Sequence, residues 1–258
     1  MRLMKRILSA AAVLALSASL LVGCSSGTAS SVPVSASSAA ESAVSALEET
    51  ASSAVDENEA AAAQLLNDLT GSYQELWPVI LADEYKQTWL DDCTALVGED
   101  NAEAAFEKLS SMVTGDVYGE DAVKAYANGG GAYFCGFTNS LATLTFDGET
   151  STISGTDKDG NVLFSHTYHY IGMEPVHGLY EFESDDADSG EFTYFFLAPD
   201  TSAETYHIEF RYGSDADALS QYDAGDYAYW LASGISTDCD QTMIDNCIEL
   251  FCTENLAG

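Results

Sequence analysis

Two periodicities divide the chain. From about residue 59 to 127 apolar positions recur at helical spacing, and from about Leu141 the spacing changes to two. In the first half, Ala60–Leu69 reads as a helix ended by Gly71. Ser72-Tyr73-Gln74-Glu75 matches an S-x-x-E capping box that opens a second helix, with Pro78 far enough inside to kink or break it. Residues 101–113 and 119–127 carry helical spacing too, and each run is followed by glycine, at Gly115 or Gly129-Gly130-Gly131. In the second half, runs such as LATLTF, NVLFSHTYHYIG, GLYEFES, EFTYFFLA and TYHIEFRYG read as strands. Turn residues separate them, including Asp147-Gly148, Asp159-Gly160 and Asp188-Ser189-Gly190. Short strands joined by tight turns predict an antiparallel meander or barrel. Helix returns in SDADALSQY and in DQTMIDNCIELFCTENL, where Met243, Cys247, Ile248 and Phe251 form an apolar stripe.

The pattern at the start is of another kind. MRLMKR is basic, ILSAAAVLALSASLLVG is apolar, and Cys24 follows. That order reads as an export signal rather than a retained transmembrane helix. Leu21-Val22-Gly23-Cys24 resembles the lipobox of bacterial lipoproteins, which implies cleavage after residue 23 and lipidation of Cys24. Two acyl chains on one residue would anchor the protein stably to the cell membrane. Residues 24–58 then form a Ser/Ala-rich tether without large aromatics, which cannot bury enough apolar surface to order itself. A flexible coil of that length spans roughly 30 Å. What remains, residues 59–258, suffices for one domain with a full core.

Charge excludes some partners. The chain has 42 acidic and 8 basic residues, a net charge of −34, and three of the basic ones lie in the leader. Such a balance argues against nucleic acid and against adsorption to an anionic bilayer, and it favours cations. Most of these charges simply keep an exported domain soluble. The five cysteines beyond Cys24 are Cys93, Cys135, Cys239, Cys247 and Cys252. No C-x-x-C pair suggests a zinc knot. One or two disulfides suit an exported protein, but spacing does not assign the pairing, and Cys247 and Cys252 fit burial as small apolar residues.

In the run ETYHIEFRYG, Tyr206, Ile208, Phe210 and Tyr212 share one face of a strand, which places His207 and Glu209 together on the other. They could share a ligand, although such a pair more often marks a solvated face. His166 and His169, three apart on one strand, face opposite sides and cannot jointly bind an ion; with His177 they are expected at the surface or in turns. Thr156-Asp157-Lys158-Asp159-Gly160-Asn161 begins like a calcium loop, but glycine falls at the wrong position and the closing glutamate is absent, so it reads as a hairpin turn. His207-Ile208-Glu209 has the H-x-E of zinc deaminases without their P-C-x-x-C. Neither H-E-x-x-H, G-x-S-x-G nor a phosphate-binding glycine loop occurs.

The order of segments, with YQELWP at 73–78, DADSGEF at 186–192 and the H-x-E-x-x-Y-G ending at 207–213, resembles the ZinT (YodA) family over nearly all of residues 70–255. The resemblance implies an α+β fold, a small antiparallel lipocalin-like (calycin) β-barrel with flanking N- and C-terminal helices. It implies binding of zinc, and sometimes cadmium, outside the cytoplasm, and, as in some members, a link to or cooperation with the solute-binding protein of a zinc ABC transporter. That family's ligands are three histidines, the last two as His-x-His on one strand. His207 stands at the first of the pair and Glu209 at the second. The upstream histidine is absent, and Asp200 falls nearest to it. An Asp/His/Glu set with one water is a workable open zinc site, and its harder donors widen the choice to manganese or calcium. The expected function is thus scavenging or delivery of a divalent metal, without catalysis. A lipocalin-like surface protein that binds a small ligand or a protein partner is the alternative, and a metal-dependent hydrolase the third reading.

Overall fold

The computed structural model describes residues 57–198 and 207–257. The leader, Cys24 and most of the tether lie outside the described residues, as does Asp200. A first helix, α1, occupies 57–68, so helix is already in place before the end of the stretch read as tether.

Eight strands close into a barrel in which every neighbouring pair is antiparallel: β1 (Gly71–Glu75), β2 (Thr143–Asp147), β3 (Thr152–Thr156), β4 (Val162–Met173), β5 (Tyr180–Ser184), β6 (Tyr194–Leu197), β7 (His207–Gly213) and β8 (Ala232–Ser236). β8 pairs back onto β1, with Gln74 opposite Ile235. With helices on either side of the barrel in sequence, this is the lipocalin-like α+β fold of the calycins. The alternation along the strands decides what fills it. Phe146, Phe182, Phe195, Phe210 and Tyr212 are buried together inside, with Phe195 5.4 Å from Tyr212 between ring centroids. Gly155 is required there, because a Cβ at that position would stand 2.4 Å from both Leu141 Cδ1 and the Phe164 ring.

The capping box at Ser72 is not one. Ser72-Tyr73-Gln74-Glu75 lies in β1, where Tyr73 packs inward and Ser72 bonds across to Thr145 at 2.8 Å. Helix α2 (Leu76–Ile80) begins only after Glu75. Pro78 therefore sits in the first turn, where backbone N–H groups have no partner within the helix, and it neither kinks nor breaks α2. The chain bends further on, through a 3-10 turn at Asp83–Tyr85 into α3 (Lys86–Val97), α4 (Glu99–Val113) and α5 (Glu120–Ala127).

After β7 comes the short α6 (Ala216–Leu219), and α7 (Gln241–Leu256) closes the chain. Asp240 caps α7 by accepting the Met243 N–H at 3.0 Å. Met243 is only half-buried, and Ile244 joins Cys247, Ile248, Phe251 and Cys252 on the packed face in its place. Helices α2, α3, α4 and α7 form a layer against the outer wall of the barrel, with a core of their own built on Trp77, Trp89, Ile235 and Phe251. Trp89 donates its indole N–H to Ile80 O at 2.7 Å, which ties α3 to α2. The TDKDGN segment is a hairpin turn, as its pattern predicts. The Asp157 carboxylate accepts from the N–H groups of Asp159 and Asn161, each at 2.9 Å, and these bonds with the Asn161 side chain hold it below the usual carboxylate range.

Candidate functional site

Strand parity builds the site. Ile208, Phe210 and Tyr212 of β7 enter the barrel core, so His207 and Glu209 face the outer wall. In the register with β8, His207 stands opposite Ile235 and Glu209 opposite Ser233. Directly opposed residues of an antiparallel pair share a face, and Ile235 belongs to the core of the helical layer. The imidazole and the carboxylate thus meet the seam between barrel and helices rather than the barrel interior.

A small cleft, open to solvent, occupies that seam. Leu76, Trp77 and Ile80 of α2 form one wall, His207 and Glu209 of β7 the floor, and Cys247, Leu250, Phe251 and Glu254 of α7 the other wall. Trp77 and Phe251 meet edge to face at 4.7 Å between centroids and hold the two helices together. His207 and Glu209 are each half-buried. Burial, and after it the negative charge of Glu209, pushes the Cys135 thiol up; burial, then Glu209 and Cys239, pushes Cys247 up to about 12. Both thiols are therefore held in the protonated form at neutral pH.

The donors suit a divalent cation, since zinc accepts imidazole nitrogen and carboxylate oxygen alike. Glu254 brings a second carboxylate to the same cleft. Among the described residues, however, no three of His, Cys, Asp and Glu stand close enough to hold an ion. The structure brings together two of the three ligands implied by the sequence resemblance, and the third, Asp200, lies outside the described residues. Glu254 was missed in the sequence, although Cys247, Phe251 and Glu254 recur at helical spacing and mark one face of α7.

The remaining histidines are engaged elsewhere. His166 Nδ1 lies 2.7 Å from Asp186 Oδ2 and His169 Nδ1 2.7 Å from Asp185 Oδ1, on opposite sides of β4, so each has its own aspartate partner. His177 lies in a turn, as expected, but its side chain is buried rather than on the surface, packed on Tyr222 with ring centroids 3.7 Å apart. Beside it Glu174 accepts the backbone N–H groups of Val176 and His177. Burial would raise the Glu174 carboxyl, but these bonds and the imidazole outweigh it and hold it below its usual range.

No protein-family model and no curated protein sequence matches the chain. Among solved structures it is similar to the Zn(II)-bound ZinT-like domain of AdcA from Streptococcus pneumoniae, at 15% identity and a TM-score of 0.45, over 71% of this chain and 89% of that one. It is similar also to Zn(II)-bound AdcA of the same organism, at 14% identity and a TM-score of 0.43, over 72% of this chain and 35% of that one.

Proposed function

We propose that this chain is an extracytoplasmic, lipid-anchored protein that binds a divalent metal ion, zinc above others, and scavenges it or hands it to an uptake system. The observation that carries the reading is the placement of His207 and Glu209 side by side on the outer face of β7, on the floor of a cleft that Glu254 also lines. Support comes as well from the sequence, where these two residues stand at the His-x-His positions of the ZinT-like pattern, and from an acidic composition that attracts cations.

His207 supplies the nitrogen ligand and Glu209 an oxygen ligand. The resemblance has Asp200 supply the third donor; Glu254 lines the same cleft, but it does not stand close enough to His207 and Glu209 to complete a three-donor set. Bound zinc would act as cargo, with no reaction at the site. The carboxylates lessen selectivity for zinc, so manganese and cadmium are the competitors to measure. The aromatic residues that could favour a small ligand in the barrel are packed on one another in its interior, which leaves the cleft as the better-supported site.

The test is metal content after dialysis of the full chain against a mixture of zinc, manganese and calcium, with His207→Ala in parallel. The reading expects near-stoichiometric zinc in the native chain and its loss in the variant. An empty native chain would contradict it.

A further inference from the structure

Cys93 of α3 and Cys252 of α7 are fully buried where these helices pack along each other, and their sulfurs lie 4.0 Å apart. A disulfide requires about 2.05 Å, so the pair needs to close by only about 2 Å, within reach of small side-chain rotations on adjacent helices. We infer that Cys93 and Cys252 form a disulfide when the chain folds in contact with a disulfide oxidant such as oxidised glutathione. Two S–H bonds and the oxidant's S–S bond are lost, one protein S–S bond forms, and the two protons pass to the oxidant's sulfurs. The two electrons reduce the oxidant to two thiols.

The bond would have a structural consequence at the cleft. Helix α7 carries Cys247, Phe251 and Glu254 on the cleft wall, and Cys252 follows Phe251 directly. A link to α3 would clamp that wall onto the helical layer. The two cysteines are 159 positions apart, so the bond would also strongly restrict the unfolded chain. Burial raises both thiols above their ordinary range, so little thiolate forms once they are enclosed, and the oxidant reacts with them before α3 and α7 have fully closed. The inference goes beyond metal binding and is independent of it, since a link can be present in a protein that binds no ion.

The full chain, reduced and unfolded, is refolded either in a glutathione redox buffer or in excess reductant, alkylated, digested and mapped by mass spectrometry. The expected result is a peptide pair joined through Cys93 and Cys252 in the oxidised sample alone, with a melting temperature roughly 5–15 °C above the reduced form. Cys93→Ala and Cys252→Ala should each abolish the link and the difference in melting. Alkylation of both cysteines in the oxidised sample would overturn the inference, as would their joining to Cys24, Cys135, Cys239 or Cys247. The map of the native chain decides the matter even where a variant fails to fold.

Discussion

The carboxylate of Glu75, the last residue of β1, accepts the backbone N–H of Phe137 at 2.6 Å, across 62 positions of sequence. The bond fixes the segment that leads into β2 over the end of the barrel, and it explains a neighbour. A Cβ on Gly136 would lie 3.0 Å from Glu75 Oε1 and 2.9 Å from the Phe134 ring. Glu75→Ala leaves the Phe137 N–H without its acceptor and is expected to cost about 1–3 kcal/mol. Gly136→Ala should destabilise as well, by crowding the same carboxylate. Urea unfolding monitored by tryptophan fluorescence checks both.

Arg211 is buried against the segment that follows β7, with its guanidinium donating to the carbonyls of Leu219, Gln221 and Tyr227 and lying 4.2 Å from the centre of the Tyr222 ring. A planar fork serves several carbonyls at once, and an ammonium group does not reproduce it. Arg211→Lys is therefore expected to lose about 2–3 kcal/mol of stability. Hydrogen exchange should rise first over residues 214–231.

These two relationships bear on how much was legible in the chain. Period-two spacing marked β2 and β4 to β7, though not the short β3 with Gly155 in it, and parity alone put His207 and Glu209 on one face. The strands that close the barrel left no such trace. β1 reads as a helix start because Ser72 and Glu75 have capping-box spacing, while in the fold they bond across to β2 and to the Phe137 backbone. β8 is Ala-Ser-Gly-Ile-Ser, and four of its five residues are buried. Ala232 packs into the barrel and Ile235 into the helical layer, so the alternation of a half-exposed strand is erased. The cleft was legible only from its β7 side, because the packing of α2 and α7 on that wall is a tertiary fact.

Asp92 on α3 should make stability depend on pH. Burial, then the charges of Glu249, Asp245 and Asp91, raises its carboxyl above the ordinary range, and its Oδ2 is buried without a hydrogen-bond partner. An acid raised in the folded state costs stability wherever the unfolded chain would be ionised, above pH of about 4, and costs nothing well below that, where both states hold the proton. Asp92→Asn should therefore stabilise the protein at pH 7 by about 0.5 kcal/mol, the scale of a like-charge contact on helices. The gain should shrink toward pH 3. Thermal melts at the two pH values measure it.

The proposed lipid anchor at Cys24 is open to a direct check. Cys24→Ala should abolish incorporation of labelled fatty acid into the exported chain and release the protein from the membrane fraction. Equal labelling of native chain and variant would remove the anchor from the account.

The central claim is tested most directly by titrating zinc into the full chain against a chromogenic chelator, with the His207→Ala/Glu209→Ala double variant beside it. The account predicts one site per chain, with affinity reduced about 100-fold or more in the double variant while circular dichroism shows the fold intact. The same affinity in both proteins would contradict it, because the zinc would then be bound away from the outer face of β7.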